Sequence, residues 1–403
     1  MNLMTLAERL QGVQFNIHLP DGRTLHLGQT GVALDWHVHS EAALRRILEH
    51  PQLQLGRTYL DGRWDVDTRH LPVLLEALIP ATAPTGRRQH RILRRLRTLL
   101  PAVRRRASPP RWQDTNLWLS RICLGDELFQ GCAHYSEPGI SLEQAQRTRC
   151  RDLIERLQIK PGQHLLDINA GWGALPLYLA EHADTRVTAL VATREQLQYA
   201  HNEARRRGLG TAVHFRLGGF RQCQGRFDRI FGSGLALDYP PSALRAQFER
   251  LAGLLCDDGM LWLQLGARHG GSLGNRWYLR ELPRHAGGPA LSALYRAIES
   301  SRLRTLQLED LCAFRLQDLR TRAQRYHLKR VAISRRFGEQ STRYWEFMLA
   351  SEICALAQGQ LVHYELVLGN PGAHWPVPGT RSAGESPLPM EIVRAIPGLA
   401  GDI

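Results

Sequence analysis

The stretch from Leu165 to Leu175, Leu-Leu-Asp-Ile-Asn-Ala-Gly-Trp-Gly-Ala-Leu, constrains the fold more than any other part of this 403-residue chain. An apolar run ending at Asp167 reads as a buried strand that starts after Lys160-Pro161-Gly162, and an apolar helix follows through Leu177, Leu179 and Ala180. The turn between them carries Gly171 and Gly173, which let the backbone bend sharply and offer a helix N-terminus to a nucleotide-like group. Arg186–Val191 then reads as the unit's second strand. A lone Gly-x-Gly marks only a tight turn. Strand, turn, helix and strand together mark the opening unit of a doubly wound α/β domain.

Further strands are predicted at 213–217, 227–233, 260–265 and 361–368, with helices at 141–157, 173–182, 194–207 and 242–255. This alternation predicts a Rossmann-like, mostly parallel sheet covered on both faces. Upstream, Val13, Phe15, Ile17 and Leu19 alternate with polar residues, and Leu25 and Leu27 follow an Asp21-Gly22 turn. With helices at 42–48 and 71–78 this reads as a small α+β domain. The predicted organisation is therefore an α+β domain over 1–80, a linker over 81–111, the α/β domain over 112–370, and a loosely ordered tail over 371–403.

Net charge is +14, from 52 Lys and Arg against 38 Asp and Glu, and Lys160 and Lys329 are the only lysines. A coding bias explains Arg over Lys but not the clustering of Arg87, Arg88, Arg91, Arg94, Arg95, Arg97, Arg104, Arg105 and Arg106 around Ile92, Leu93, Leu96, Leu99 and Leu100. That segment reads either as a basic amphipathic helix for an anionic membrane surface or as a solvated linker helix. Charge alone gives no case for nucleic acid. The seven cysteines are scattered without Cys-x-x-Cys spacing, so neither a disulfide framework nor a metal site is expected. No apolar run reaches membrane-spanning length, and no leader pattern opens the sequence, so the expectation is a cytoplasmic protein, peripheral on the inner membrane face.

The glycine turn resembles the Asp-Ile-Gly-Cys-Gly-Trp-Gly of the cyclopropane-fatty-acyl-phospholipid synthases, which are S-adenosylmethionine-dependent lipid methyltransferases. Cys132-Ala133-His134-Tyr135, Ser141–Gln146, Trp345-Glu346-Phe347 and Leu55–Asp65 resemble the same family's landmarks, in its order, and the likeness runs from about residue 13 to 370. The resemblance implies S-adenosyl-L-methionine as cofactor and an unsaturated phospholipid acyl chain as substrate. It also implies a lipid-docking N-terminal domain, and a helical lid over about 270–350. On the cofactor side it points to Asp167, Asn169, Gly171, Gly173, Gln196 and Gln130. Asn169 replaces a glycine, and Asn tolerates a left-handed backbone best among the other residues. Gln130-Gly131 stands where the family has Tyr-Ser, and Gly218-Gly219-Phe220 lacks the family's acidic residue. Trp172 reads as packing.

In that family a bicarbonate ion takes the proton released on ring closure, held by a cysteine region, a glutamate, a histidine and a tyrosine. Here Cys132 is retained, Leu237 with Asp238 replaces Glu-His, Gln264 replaces the base-site histidine, and Phe314-Arg315 falls where the tyrosine is expected. Gln264 donates hydrogen bonds but does not titrate, whereas Arg315 is able to hold an anion through two parallel bonds. Cys132, Gln264, Asp238 and Arg315 are thus the candidate catalytic residues. One reading is an active lipid methyltransferase, either as a homodimer or paired with a related synthase. The other is a degenerate relative that serves as a non-catalytic, membrane-associated partner of an intact synthase.

Overall fold

The computed structural model describes residues 13–28, 32–79, 116–233, 241–268, 275, 277–278 and 288–374. The basic segment 86–106, Leu237, Asp238 and almost all of the tail lie outside them. Contacts divide the chain into two compact units, one falling within 1–110, 268–283 and 323–361, the other within 111–267, 284–322 and 362–403.

The first unit is built on a four-stranded sheet of order β2-β1-β3-β4, from β1 (Val13–His18), β2 (Thr24–Leu27), β3 (Val32–Val38) and β4 (Trp64–Val66). β1 pairs antiparallel with β2 and parallel with β3. Its inward residues Phe15, Ile17, Leu34, Trp36 and Trp64 are fully buried, as strand alternation requires. Helices α1 (Glu41–Glu49), α2 (Pro51–Leu60) and α3 (Leu71–Leu78) complete the N-terminal part. Two later helices, α11 (Arg330–Phe337) and α12 (Glu339–Ala357), belong to this unit. α11 and most of α12 fall in the stretch that the resemblance assigns to the lid. α12 buries Phe347 against Tyr59, and its Glu346 accepts a 2.9 Å bond from the Tyr59 hydroxyl. Arg343 reaches Asp65 at 2.5 Å and lies 5.0 Å over the Tyr59 ring.

The second unit carries a seven-stranded sheet of order β10-β11-β9-β8-β5-β6-β7. Its strands are β5 (His164–Asp167), β6 (Arg186–Val191), β7 (Val213–Leu217), β8 (Phe227–Ser233), β9 (Leu255–Arg268), β10 (Arg304–Asp310) and β11 (Leu361–Gly369). β5 pairs parallel with both β6 and β8, and β10 pairs antiparallel with β11. The chain order therefore reverses at β5, so the crevice outside the carboxyl ends of β5 and β8 is the switch point at which doubly wound folds bind ligands. Helices α4 (Leu117–Leu124), α5 (Leu142–Arg156), α6 (Ala174–Ala183), α7 (Arg194–Arg206), α8 (Pro241–Leu254), α9 (Leu291–Glu299) and α10 (Cys312–Leu328) accompany it. Two apolar layers, one containing Phe215, Phe231 and Trp262 and the other Leu166, Phe248 and Leu263, cover the two faces. The doubly wound architecture is as predicted. β10 is an addition, and β9 begins at Leu255 rather than at residue 260.

Candidate functional site

The loop leaving β5 is tied to both neighbouring strands. The Ile168 amide donates to the Phe231 carbonyl at 2.9 Å, and the Ala170 amide to Leu190 at the same distance. Asn169 Nδ2 donates to the Ser233 carbonyl at 2.6 Å, while its amide donates to Asp167 Oδ1 at 2.9 Å. Asn169 is not left-handed, contrary to the expectation from sequence. Its carboxamide holds the loop to β8, a task a glycine lacks the atoms to perform. Asp167 is fully buried, and desolvation pushes its carboxyl up to about 7.

Gly171 and Gly173 do have positive φ, 56° and 89°. They serve different ends. A Cβ on Gly173, at the start of α6, would lie 2.8 Å from the Phe215 ring and 3.1 Å from Ala200, so this glycine lets α6 pack against β7 and α7 rather than admitting a ligand. A Cβ on Gly171 would lie 2.3 Å from the Gln130 carboxamide, a movable side-chain end over the turn. Asn169, Gly171 and Gln130 thus come together at the switch point. Gln196 is the third residue of a capping box on α7, its Oε1 accepting from the Ala192 and Thr193 amides. Trp172 packs as expected, its indole N–H donating to Ser120 Oγ at 2.9 Å and its ring standing edge-on to Tyr199.

Behind the loop lies a buried polar cluster. Gln264, on β9 and 1% exposed, accepts from the Cys132 amide at 2.8 Å and from Arg149 Nη1 at 3.1 Å. Its Nε2 donates to the Cys132 carbonyl and to Glu365 Oε2, each at 3.3 Å. The carboxamide therefore clasps the peptide of Cys132 at both ends. Arg156 bridges Glu309 at 2.6 Å and Glu365 at 3.2 Å. Gly131, with a φ of 92°, sits so tightly that a Cβ would lie 1.9 Å from Ser233 Oγ and 2.5 Å from Arg149. Arg322 donates to the Gly131 carbonyl at 3.1 Å and pairs with Asp318, which also accepts from Tyr135. Burial, reinforced by Asp318, pushes the Cys132 thiol well up, which disfavours the thiolate. Desolvation, with the half-buried Arg315 of α10 as a smaller cause, pushes the His363 imidazole well below its usual range.

Sequence reasoning had Cys132 and Gln264, and the structure brings them into direct contact. It missed Arg149, Arg156, Glu309 and Glu365. These charges lie on faces turned inward, where periodicity predicts apolar residues, and only the capping box Ser141-x-x-Gln144 at the head of α5 is visible beforehand.

A cavity with about 20 Å³ of water-holding space adjoins the cluster, lined by Cys132, His134, Arg149, Gln264, Glu309 and Glu365 among others. That is room for a single water. The Cys132 amide, which the family resemblance would offer to bicarbonate, is bonded to Gln264. No group of His, Cys, Asp or Glu suited to a metal occurs among the described residues.

Strand order, switch-point loop and left-handed glycine turn together define a Rossmann-like methyltransferase fold. The profile of the mycolic acid cyclopropane synthetase family matches residues 114–362, and the chain belongs to that family of cyclopropane synthase-like, S-adenosylmethionine-dependent methyltransferases. A probable fatty acid methyltransferase of Pseudomonas putida is 24% identical over 391 residues, covering 91% of this chain and 96% of its own. The cyclopropane-fatty-acyl-phospholipid synthase of Escherichia coli K12 is 27% identical over 227 residues, 52% of this chain and 56% of that protein. Among solved structures, the cyclopropane synthase MmaA2 of Mycobacterium tuberculosis superposes with a TM-score of 0.58 at 18% identity, covering 66% of this chain and all of the other. The mycolic acid cyclopropane synthase CmaA1, complexed with SAH and CTAB, gives 0.58 at 17% identity, over 64% of this chain and 98% of its own. At such identities these structures speak for the fold.

Proposed function

We propose that the chain moves a methyl group from S-adenosylmethionine to the double bond of an unsaturated phospholipid acyl chain, working peripherally on the inner face of a membrane. The observation that carries this reading is the Gly171 turn at the switch point, in a chain matched along nearly its whole length by a probable fatty acid methyltransferase. Bound there, the cofactor supplies an electrophilic sulfonium methyl. Gln130, Asn169 and Gly171 hold it. Gln130 is able to swing off Gly171 because only its flexible end lies there. A site acting on so poor a nucleophile must above all position the double bond and limit attack of water on the cation that forms.

The clasp of Gln264 on Cys132 favours methyl transfer without bicarbonate-assisted ring closure. It also favours a second reading, a non-catalytic, membrane-associated partner of an intact synthase, because no titratable group stands at that position. Calorimetric titration of the purified chain with S-adenosylmethionine separates the two. Micromolar affinity is expected for the enzyme. No heat of binding at millimolar cofactor leaves only the partner role.

A further inference from the structure

β7 is the outermost strand of the large sheet, and its free edge carries a groove of about 350 Å³. His201 and Arg205, four residues apart on α7, line one side of it. His214 and Arg216 line the other, standing on the opposite sheet face from the buried Val213 and Phe215, since alternate residues of a strand face opposite ways. No carboxylate lines the groove. The nearby carboxylates are used elsewhere: Glu203 pairs with Arg206 at 2.6 Å and Arg207 at 2.8 Å, and Glu181 with Arg207 at 3.5 Å. Arg205, Arg216 and His214 are exposed, and none of the four has an ion-pair partner among the described residues.

We infer that this edge groove seats the phosphate head groups of an anionic phospholipid surface. Cations without counter-charges, gathered around a concave edge, attract an anion more than the same charges scattered singly. The groove has room for a head group. Its one Phe, Tyr or Trp ring, Phe215, is 5% exposed, so stacking of bases would fall to His201, His214 and the two arginines, and loss of RNA is therefore an arm of the test. The choice of lipid over another phosphate source rests on the proposed lipid substrate, but the binding itself needs neither cofactor nor turnover.

Co-sedimentation of the full chain with phosphatidylglycerol vesicles at low salt, against phosphatidylcholine vesicles, tests it. Arg205→Gln with Arg216→Gln is expected to weaken binding to the anionic vesicles roughly thirtyfold, since each cation at such a surface contributes about 1 kcal/mol. Arg245→Gln, an exposed arginine on α8 paired with Glu249 at 2.7 Å, is expected to leave binding unchanged. Soluble glycerol phosphate should compete weakly, and raised salt should release the protein. A second arm changes Arg87, Arg88, Arg91, Arg94 and Arg95 to Gln. If only this arm loses vesicles, or if the double variant binds as the unaltered chain does, the inference is wrong. It is equally wrong if the double variant keeps its vesicles but loses RNA, or if its only change is aggregation, the behaviour of a sheet edge that charge merely protects. An unaltered unfolding midpoint for the double variant shows that the loss is not one of folding. Strong vesicle binding by a chain that fails to bind cofactor would sink the methyltransferase reading and leave this one standing.

Discussion

Replacing Gln264 with leucine is expected to cost the second unit about 3 kcal/mol or more. Leucine fills much of the same volume but leaves the Cys132 amide and Arg149 Nη1 without their acceptor, and the Cys132 carbonyl and Glu365 without their donor. Each buried group stranded in this way costs roughly 1–3 kcal/mol, and charged ones more. The variant should unfold at markedly lower urea, followed by tryptophan fluorescence, with Trp262 under Arg149 a close reporter. A shift worth less than about 0.5 kcal/mol, the size of an ordinary surface substitution, would mean that the clasp is ornamental. Gln264→His is expected to fail as a repair for related reasons. An imidazole cannot accept from the Cys132 amide and Arg149 while also donating to the Cys132 carbonyl and Glu365.

Stability should also fall as pH rises from about 4 to about 7, with Asp167 as one source. Its carboxyl, ordinarily near 3.8, is pushed up to about 7 by burial. Between those values the folded chain keeps a proton that the unfolded chain has released, so each step up in pH favours unfolding, and the loss levels off above 7. Asp167→Asn keeps an oxygen for the Asn169 amide and has no charge to bury. It should therefore be more stable than the unaltered chain at pH 8, by on the order of 4 kcal/mol, and nearly equal to it at pH 4. Urea midpoints at the two pH values check this. Equal midpoints at pH 8 would show that the buried carboxylate is solvated by something the described residues do not supply.

The large sheet was legible because its strands are short apolar runs separated by amphipathic helices, and the predicted ends of β6, β7 and β8 coincide with those observed. β10 was not. Arg304-Thr305-Leu306-Gln307-Leu308-Glu309-Asp310 lies at the sheet's edge with a register shift between Thr305 and Gln307, so its alternation is broken and none of its residues is buried. The glycine turn was read correctly as a turn, but sequence did not distinguish Gly173, which serves packing, from Gly171, which faces Gln130. A glycine's neighbours come from distant strands and helices. The Arg149, Arg156, Glu309 and Glu365 cluster was missed for the same reason: nothing local marks a buried charge whose partners stand on four different elements.

Transfer of a deuterated methyl group is the most direct test of the central claim. The purified chain, given S-adenosylmethionine labelled on the methyl and vesicles of unsaturated phospholipid, should place the label on the acyl chains, as read by mass spectrometry of the extracted lipids. Without bicarbonate at Cys132 the cation left by methyl transfer is expected to lose a proton from a neighbouring chain carbon to water, giving a methyl-branched, still unsaturated chain that keeps the whole label, whereas ring closure takes the proton from the added methyl and sheds one deuterium. Label in no lipid, from a chain that is folded and loaded with cofactor, would contradict the account.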